Sequence, residues 1–382
     1  MNVGIVGCGI FGASTALALM QSGHAVTVFD RAAAGLPAED AASNDRSKAL
    51  RFEYGAHCAL YVPLVDESRA AYRELEKDWG APLYIETGVL ALARSWDPSR
   101  HERESYEYLH AAGRPIELLE PAEARARFPQ FSYEGIAAVT WNPEGGYVRA
   151  AEAVGATVAA VRALGAEILS GARVADVDER PGAGIVELED GTGHEFDAVV
   201  VCAGPWFQQL VPESVVRVRP LRQFVTYYRP PDASAAAGRF APPALPVWMH
   251  DIVEAGWYGM PLQDGVLKVA HHEPGEPAEP DAEREVREAD RAASRAFVAA
   301  NLPAIDASWY AEDKGCLYAM TDDGHFVIDR VPGTEHLFVA GGGSGHGFKM
   351  GPAVGRLAAD LVEGRSVPVE FHAVRARSGR VA

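Results

Sequence analysis

The first thirty residues alternate between apolar runs and glycine breaks. A short β-branched run, residues 3–6, ends in Gly7-Cys8-Gly9-Ile10-Phe11-Gly12, and the Ala/Leu-rich stretch 13–20 after it reads as a helix. Gly23 closes that helix, and 25–29 reads as a second strand ending in Asp30. Residues 43–51 begin with good N-capping residues and predict a short helix start. Residues 62–79 predict a long helix, with Leu64, Ala71, Leu75 and Trp79 at near-helical spacing on its buried face. Residues 147–164 predict another helix, 166–170 a strand, and 196–206 a buried strand that runs into a glycine turn. Near the end, 337–340 read as a strand, 341–347 as a glycine loop and 350–363 as an amphipathic helix with Val354, Leu357 and Leu361 inward.

Two blocks of different character, 88–146 and 213–314, separate these pieces. The second holds the strand patterns 224–228 and 265–270, a Pro/Glu loop at 273–280, and an acidic helix over 282–300 whose charges suit a solvated face. The expected architecture is therefore α/β combined with α+β: a Rossmann-type nucleotide domain built from 1–87, 147–212 and 315–382, interleaved with a mixed-sheet substrate domain built from 88–146 and 213–314.

Composition narrows the function classes. At 382 residues, 48% hydrophobic and 23% charged, the chain is long enough for two packed units with sizeable cores. A formal charge of −18 argues against nucleic-acid binding, which depends on clustered Lys and Arg. The four cysteines, Cys8, Cys58, Cys202 and Cys316, form neither a CxxC pair nor a disulfide framework, and no metal-ligand spacing stands out. The apolar start has no basic lead and is interrupted by glycines, so neither a signal peptide nor a membrane span is expected, and the GRVA tail is no recognised address. A cytoplasmic monomer is the expectation.

A lone GxGxxG motif is weak, but here a strand precedes it, a helix follows, and Asp30 stands at the end of the next strand. In such a unit Gly7 permits the tight turn, Gly9 lets a pyrophosphate approach the backbone, and Gly12 lets helix and strand pack closely. The helix start favours phosphate charge, and Asp30 is placed to accept from a ribose 2′-OH, which points to NAD or FAD over NADP. A nicotinamide enzyme usually completes its sheet within the first ~150 residues. This chain interrupts its sheet with insertions, which favours FAD.

Four stretches together resemble the FAD-dependent amine oxidases of the D-amino-acid-oxidase superfamily, in the monomeric sarcosine oxidase and fructosyl-amino-acid oxidase branch. They are the N-terminal fingerprint through Asp30; Ser43-Asn44-Asp45-Arg46-Ser47-Lys48-Ala49-Leu50-Arg51 followed by Tyr61 and Pro63; Lys268-Val269-Ala270-His271-His272; and the run from Cys316 through His325 to Ser344–Lys349. The resemblance implies FAD covalently joined through Cys316. It places Lys268 at the oxygen-reducing site, Arg51 and Lys349 on a substrate carboxylate, and His272 and Tyr258 in the pocket. It also implies cofactor contacts at Ile10, Phe11, Arg31, Ser43, Lys48, Val174, Gly204, Trp206, Gly343, Gly345 and Lys349. Lys48 stands where sarcosine oxidase has an arginine and looks more like the fructosyl-amine and saccharopine-type oxidases, which departs from sarcosine as the substrate.

The implied activity is oxidation of a small secondary α-amino or imino acid to an imine, with dioxygen reduced to hydrogen peroxide. A dehydrogenase or biosynthetic desaturase on a cyclic imino acid uses the same motifs, and a flavin-bearing protein without turnover is a third reading. Trp248, His250 and Trp257 are candidates for the substrate side-chain pocket.

Overall fold

The structure, a computed structural model, describes residues 1–33, 37–273 and 275–373. Parts of three expectations lie outside the described residues: 34–36 of the nucleotide-domain segment 1–87, Pro274 of the 273–280 loop, and the tail 374–382.

Two large sheets organise the chain. The first has six strands in the order Val327–Arg330, Leu337–Gly341, Ala198–Val201, Asn2–Val6, Ala25–Asp30 and Glu167–Ser170. All neighbours run parallel except the edge pair Val327–Arg330 and Leu337–Gly341. Parallel strands buried on both faces read as continuous apolar runs, and Ala198–Val201 is buried at every position. Helices Ile10–Gln21, Cys58–Trp79, Ala150–Ala163 and Gly351–Val362 share one core with this sheet. The small antiparallel sheet Val174–Arg180, Ala183–Leu188 and Gly193–Phe196 packs on it through Val186 and Phe196.

The second sheet has eight strands in the order Tyr310–Thr321, Val218–Tyr228, Val266–His271, Trp257–Gln263, Val247–His250, Val89–Ala93, Ala138–Asn142 and Glu117–Leu119. Its pairs are antiparallel apart from Val247–His250 beside Val89–Ala93. Its own core gathers Trp248, Phe131 and Trp257 against the helix Glu288–Asn301. The boundary expected after 314 falls inside Tyr310–Thr321, which pairs with this second sheet along its whole length.

Several local expectations are corrected. Residues 43–51 form no helix: Lys48–Leu50 is a strand pairing with Gly146–Val148, which in turn pairs with Tyr84–Glu86. The capping side chains are used in tertiary contacts instead, since Ser43 Oγ accepts from the Ile10 N–H at 3.2 Å and Asp45 accepts from distant donors. Gly146–Val148 being a strand, the helix expected from 147 begins at Ala150.

The long helix starts at Cys58, four residues before the expected 62, and tolerates Pro63 inside it. One lost helical hydrogen bond is offset by burial of Cys58, Tyr61 and Val62. Trp79, expected on the buried face, is 38% exposed at the helix end. The acidic helix spans Glu288–Asn301, because Asp290 accepts from the Arg287 N–H at 2.9 Å and fixes the start there.

Close helix approach depends on missing side chains. A Cβ on Gly12 would lie 1.8 Å from the Gly7 carbonyl oxygen, and one on Gly355 would lie 2.4 Å from the Ser14 backbone. Backbone cannot yield as a side chain can. Gly355→Ala should therefore separate Ile10–Gln21 from Gly351–Val362 and cost about 1–3 kcal/mol, read as a lowered thermal midpoint. An unchanged midpoint would show that the helices slide apart without cost.

Candidate active site

Three cavities adjoin through shared wall residues to make a channel, the first beside the six-stranded sheet and the other two reaching the eight-stranded one. The first is walled by Gly7, Gly9, Asp30, Arg31, Ser43, Val174, Gly204 and Trp206, among others. It shares Gly9, Ser43, Cys202 and Gly204 with the second, which adds Ile10, Phe11, Lys48, Gly343 and Gly345. The second shares Lys48, Gly345 and Phe348 with the third, walled further by Arg51, Tyr258, His272 and Lys349. Apart from Gly12, Cys316, Lys268 and the side-chain pocket candidates Trp248, His250 and Trp257, every residue expected at the site lies in these walls.

The first two cavities suit an adenine dinucleotide. The helix Ile10–Gln21 begins at the channel with no acidic side chain in its first turn, so its dipole meets no competing charge. Asp30 is 8% exposed and accepts from the Cys8 N–H at 2.6 Å and the Ala32 N–H at 2.8 Å, which holds the carboxylate at the end of its strand. Gly204 has φ +52° and nothing within 4 Å of its would-be Cβ, so the wall there is open. Across this mouth the Arg31 guanidinium stacks 4.3 Å from the Trp206 ring, and Asp281 accepts from both side chains at 2.6 and 2.9 Å.

The third cavity has a cationic end and an apolar end. Arg51 is buried with its guanidinium 4.7 Å from the Tyr54 ring, and Lys349 Nζ donates to Tyr54 Oη at 3.0 Å and to the His346 carbonyl at 3.3 Å. Burial, then the nearby Arg51 charge, holds the Lys349 ammonium well below the usual lysine range. His272, 3.2 Å from Tyr318 Oη, is lowered to about 3 by burial and by Arg51 and Lys349, so it is neutral near pH 7. Tyr258 is pushed up to about 12, mainly by burial, and keeps its proton. Gly345, at φ +77°, lets the backbone pass between Tyr318 and His272, where a Cβ would lie 2.5 and 2.9 Å from their rings.

Met249, Ile252 and Phe348 supply the apolar end. The residues suggested by sequence, Trp248, His250 and Trp257, are not in this wall. Side chains alternate along a strand, so Met249 faces the channel while Trp248 and His250 face the opposite core, and Trp257 stacks on Phe297 at 4.4 Å.

One buried carboxylate was not read from the sequence as a site residue. Asp45 Oδ2 accepts from Lys268 Nζ at 2.6 Å and from Lys48 Nζ at 2.8 Å, while Oδ1 accepts from Tyr227 Oη at 2.9 Å. Lys268 Nζ also donates to the Ser47 carbonyl at 2.8 Å. Burial works against the Asp45 charge, but Lys268 and Lys48 outweigh it and hold the carboxyl well below its usual range. Burial lowers Lys268 to about 8, with Asp45 opposing and Lys48 adding to the fall. For Lys48, burial is outweighed by Asp45 and the ammonium is held above its usual range. The hint available in sequence was an acid three residues before Lys48; its partner Lys268 lies 223 residues away.

Cys316 is a free, partly buried thiol on Tyr310–Thr321, next to Leu317, Tyr318 and Ala319 of the channel wall. Burial raises its thiol, against the lowering effect of Lys48. Among the described residues no cluster of three or more His, Cys, Asp or Glu could hold a metal, and no helix is long and apolar enough to cross a membrane.

Comparison with known proteins shows the fold and the family. N-methyl-L-tryptophan oxidase of Yersinia pestis (strain Pestoides F) is 29% identical over 375 residues, 97% of this chain and 96% of the relative. The crystal structure of glycine oxidase from Geobacillus kaustophilus superposes with a TM-score of 0.81 at 22% identity, covering 98% of each chain. L-proline dehydrogenase from P. horikoshii also reaches 0.81, at 20% identity, covering 97% of this chain and 96% of that one. Residues 2–361 match the family described as DAO, FAD dependent oxidoreductase, and the chain belongs to that family.

Proposed function

We propose that the protein is an oxidase of a small secondary, N-substituted α-amino acid, forming the imine and hydrogen peroxide. The observation that carries this reading is the third cavity, where Arg51 and Lys349 stand together, no acidic side chain is in the described wall, and the space opens into the channel. Such a wall takes a carboxylate at one end and leaves the amine without a counter-ion, so the amine is bound uncharged. The relative that acts on N-methyl-L-tryptophan supports a secondary amine.

FAD fits the first two cavities, with Gly7, Gly9, Ile10, Phe11, Asp30, Arg31, Ser43, Val174, Gly204, Trp206, Gly343 and Gly345 as the residues that would hold it. When bound, it supplies the two-electron oxidation of the substrate C–N bond and the delivery of those electrons to dioxygen. The chain's own residues do the rest. Arg51 offers planar, paired donors to the substrate carboxylate, and Lys349 adds N–H donors beside it. Neutral His272 and protonated Tyr258 present polar groups without placing an anion near the amine. Lys268 and Lys48 supply positive charge in a buried, low-dielectric site, where it stabilises developing superoxide more than it would in water. Cys316 is the proposed attachment point, supported by its free thiol beside the channel wall.

A flavin dehydrogenase is the second reading, favoured by one finding: the proline dehydrogenase superposes as well as the glycine oxidase. Peroxide formed per imine in air, without added acceptor, separates the two. A ratio near one supports the oxidase, and a ratio near zero the dehydrogenase.

Four outcomes are expected. Arg51→Ala should lower kcat/KM for an N-methyl amino acid about 100-fold, as loss of a buried charge-assisted contact does; the corresponding amine lacking the carboxylate should lose far less, and equal losses on both would remove Arg51 from carboxylate binding. Acid precipitation should leave a yellow pellet from the wild type and a colourless one from Cys316→Ala; a colourless wild-type pellet would return Cys316 to a structural role. Lys268→Met should retain anaerobic substrate oxidation and lose most of its reoxidation rate in air. Because Lys268 is lowered from 10.5 to about 8, its charge is present below that pH and lost as pH rises through it. Wild-type reoxidation should fall over the same window, in stopped-flow measurements across pH.

A further inference from the structure

The channel wall contains Lys48 but not Lys268. Lys268 is 2% exposed, one layer behind, and its ammonium is held by Asp45 Oδ2 and the Ser47 carbonyl. Lys48 reaches the same Oδ2 atom from the channel side. Two lysines thus share one carboxylate oxygen, and the other oxygen is occupied by the Tyr227 hydroxyl and by the Arg46 N–H at 2.7 Å. The segment bearing Asp45 is itself fixed from three sides. Ala151 N–H donates to the Asp45 carbonyl at 3.0 Å, Lys314 Nζ to the Asn44 carbonyl at 2.5 Å, and Gln263 to the Arg46 carbonyl at 3.5 Å.

A carboxylate so fully enclosed cannot swing to follow either lysine. The groups whose charge acts on Lys268 are Asp45 and Lys48 on this segment and Cys316 on the edge strand, while Arg46, Tyr227, Tyr258 and Lys314 surround the Asp45–Lys48 pair in turn. Asp45 is the one carboxylate among them. Without it, two ammoniums would repel each other in a dry site, and the more buried one would discharge first.

We propose that Asp45 is the positioning residue of the oxygen-reducing step, sharing one carboxylate oxygen between Lys48 at the channel wall and Lys268 behind it so that both remain charged and in place. The proposal rests on the oxidase reading given above for the two lysines. It assigns Asp45 no contact with substrate, and its effect passes through them.

The sharing makes two opposite demands on Lys268. Asparagine at position 45 removes the stabilising charge, so Lys268 should titrate at lower pH. Methionine at position 48 removes the competing ammonium and leaves Asp45 to Lys268 alone, so Lys268 should titrate at higher pH.

The experiment uses holoenzyme carrying 13Cε-labelled lysine, with the Lys268 signal identified as the one missing from Lys268→Met. In Asp45→Asn the NMR titration midpoint of Lys268 should fall by about one to three pH units, and in Lys48→Met it should rise. Stopped-flow reoxidation in Asp45→Asn should slow roughly 10-fold to 100-fold, as loss of a partner that orients a reacting group does, and more than anaerobic reduction slows. Its decline with pH should move to the acid side of the wild-type decline. Adding Asp45→Asn to the double variant Lys48→Met/Lys268→Met should slow reoxidation little further, because Asp45 acts through those two lysines.

A Lys268 midpoint that moves in neither variant overturns the proposal. So does a wild-type reoxidation rate and pH profile in Asp45→Asn. If Asp45→Asn does not fold, Lys48→Met decides, since a midpoint that fails to rise there rules out a shared carboxylate. Wild-type enzyme that dioxygen does not reoxidise would overturn the oxidase reading and with it the oxygen-reducing role, while the lysine titrations still decide whether Asp45 is shared between Lys48 and Lys268.

Discussion

The Asp45 carboxylate is the knot that holds the two halves of the molecule to one channel. Its main chain accepts from the start of Ala150–Ala163, which packs on the nucleotide-type sheet, and its side chain takes Lys268 and Tyr227 from adjacent strands of the eight-stranded sheet. Ser43, two residues earlier, accepts from the first turn of Ile10–Gln21. Burying three charges together is expensive, and removing one partner of a buried ion pair typically costs about 3–5 kcal/mol. An apolar cluster would join two sheets at lower cost. A charged joint here is explained by its position, where one of its lysines forms the wall common to the second and third cavities.

Polar chemistry is graded along the channel. At one end Asp30 and the open helix start suit a ribose and phosphates; at the other, Arg51 and Lys349 suit a carboxylate. The net charge of −18 does not oppose this, because the relevant field is set by a few buried cations with low-dielectric surroundings, and exposed acids are screened beyond about 10 Å. The desolvated state of these cations also matters. Lys349 and His272 are both held toward their neutral forms by burial and by Arg51.

Much of the nucleotide side was legible in the chain. The glycine fingerprint, the strand ending in Asp30, and the loop 341–347 between a strand and a helix all have local signatures, and they occur where those signatures place them. The errors share a cause. Residues 43–51 carry the polar residues of a helix start, but Ser43 and Asp45 spend their side chains on groups far away in sequence, and the backbone is left to pair as a strand. Trp248 and His250 were one position out of phase: large residues draw attention, yet the smaller Met249 between them faces the channel.

The sequence by itself determined the local units: which segments become strands and helices in the nucleotide sheet, where phosphate can approach backbone, and which cations are available for a carboxylate. Those depend on φ/ψ freedom, periodicity and residue chemistry within a few positions. The tertiary structure alone decided which of the cations share an anion, which one reaches the channel, and which face of Val247–His250 looks into the channel. These are properties of contact between residues as far apart as Asp45 and Lys268. Charge state in a buried site is set by neighbours in space, and no pattern within either segment encodes the other.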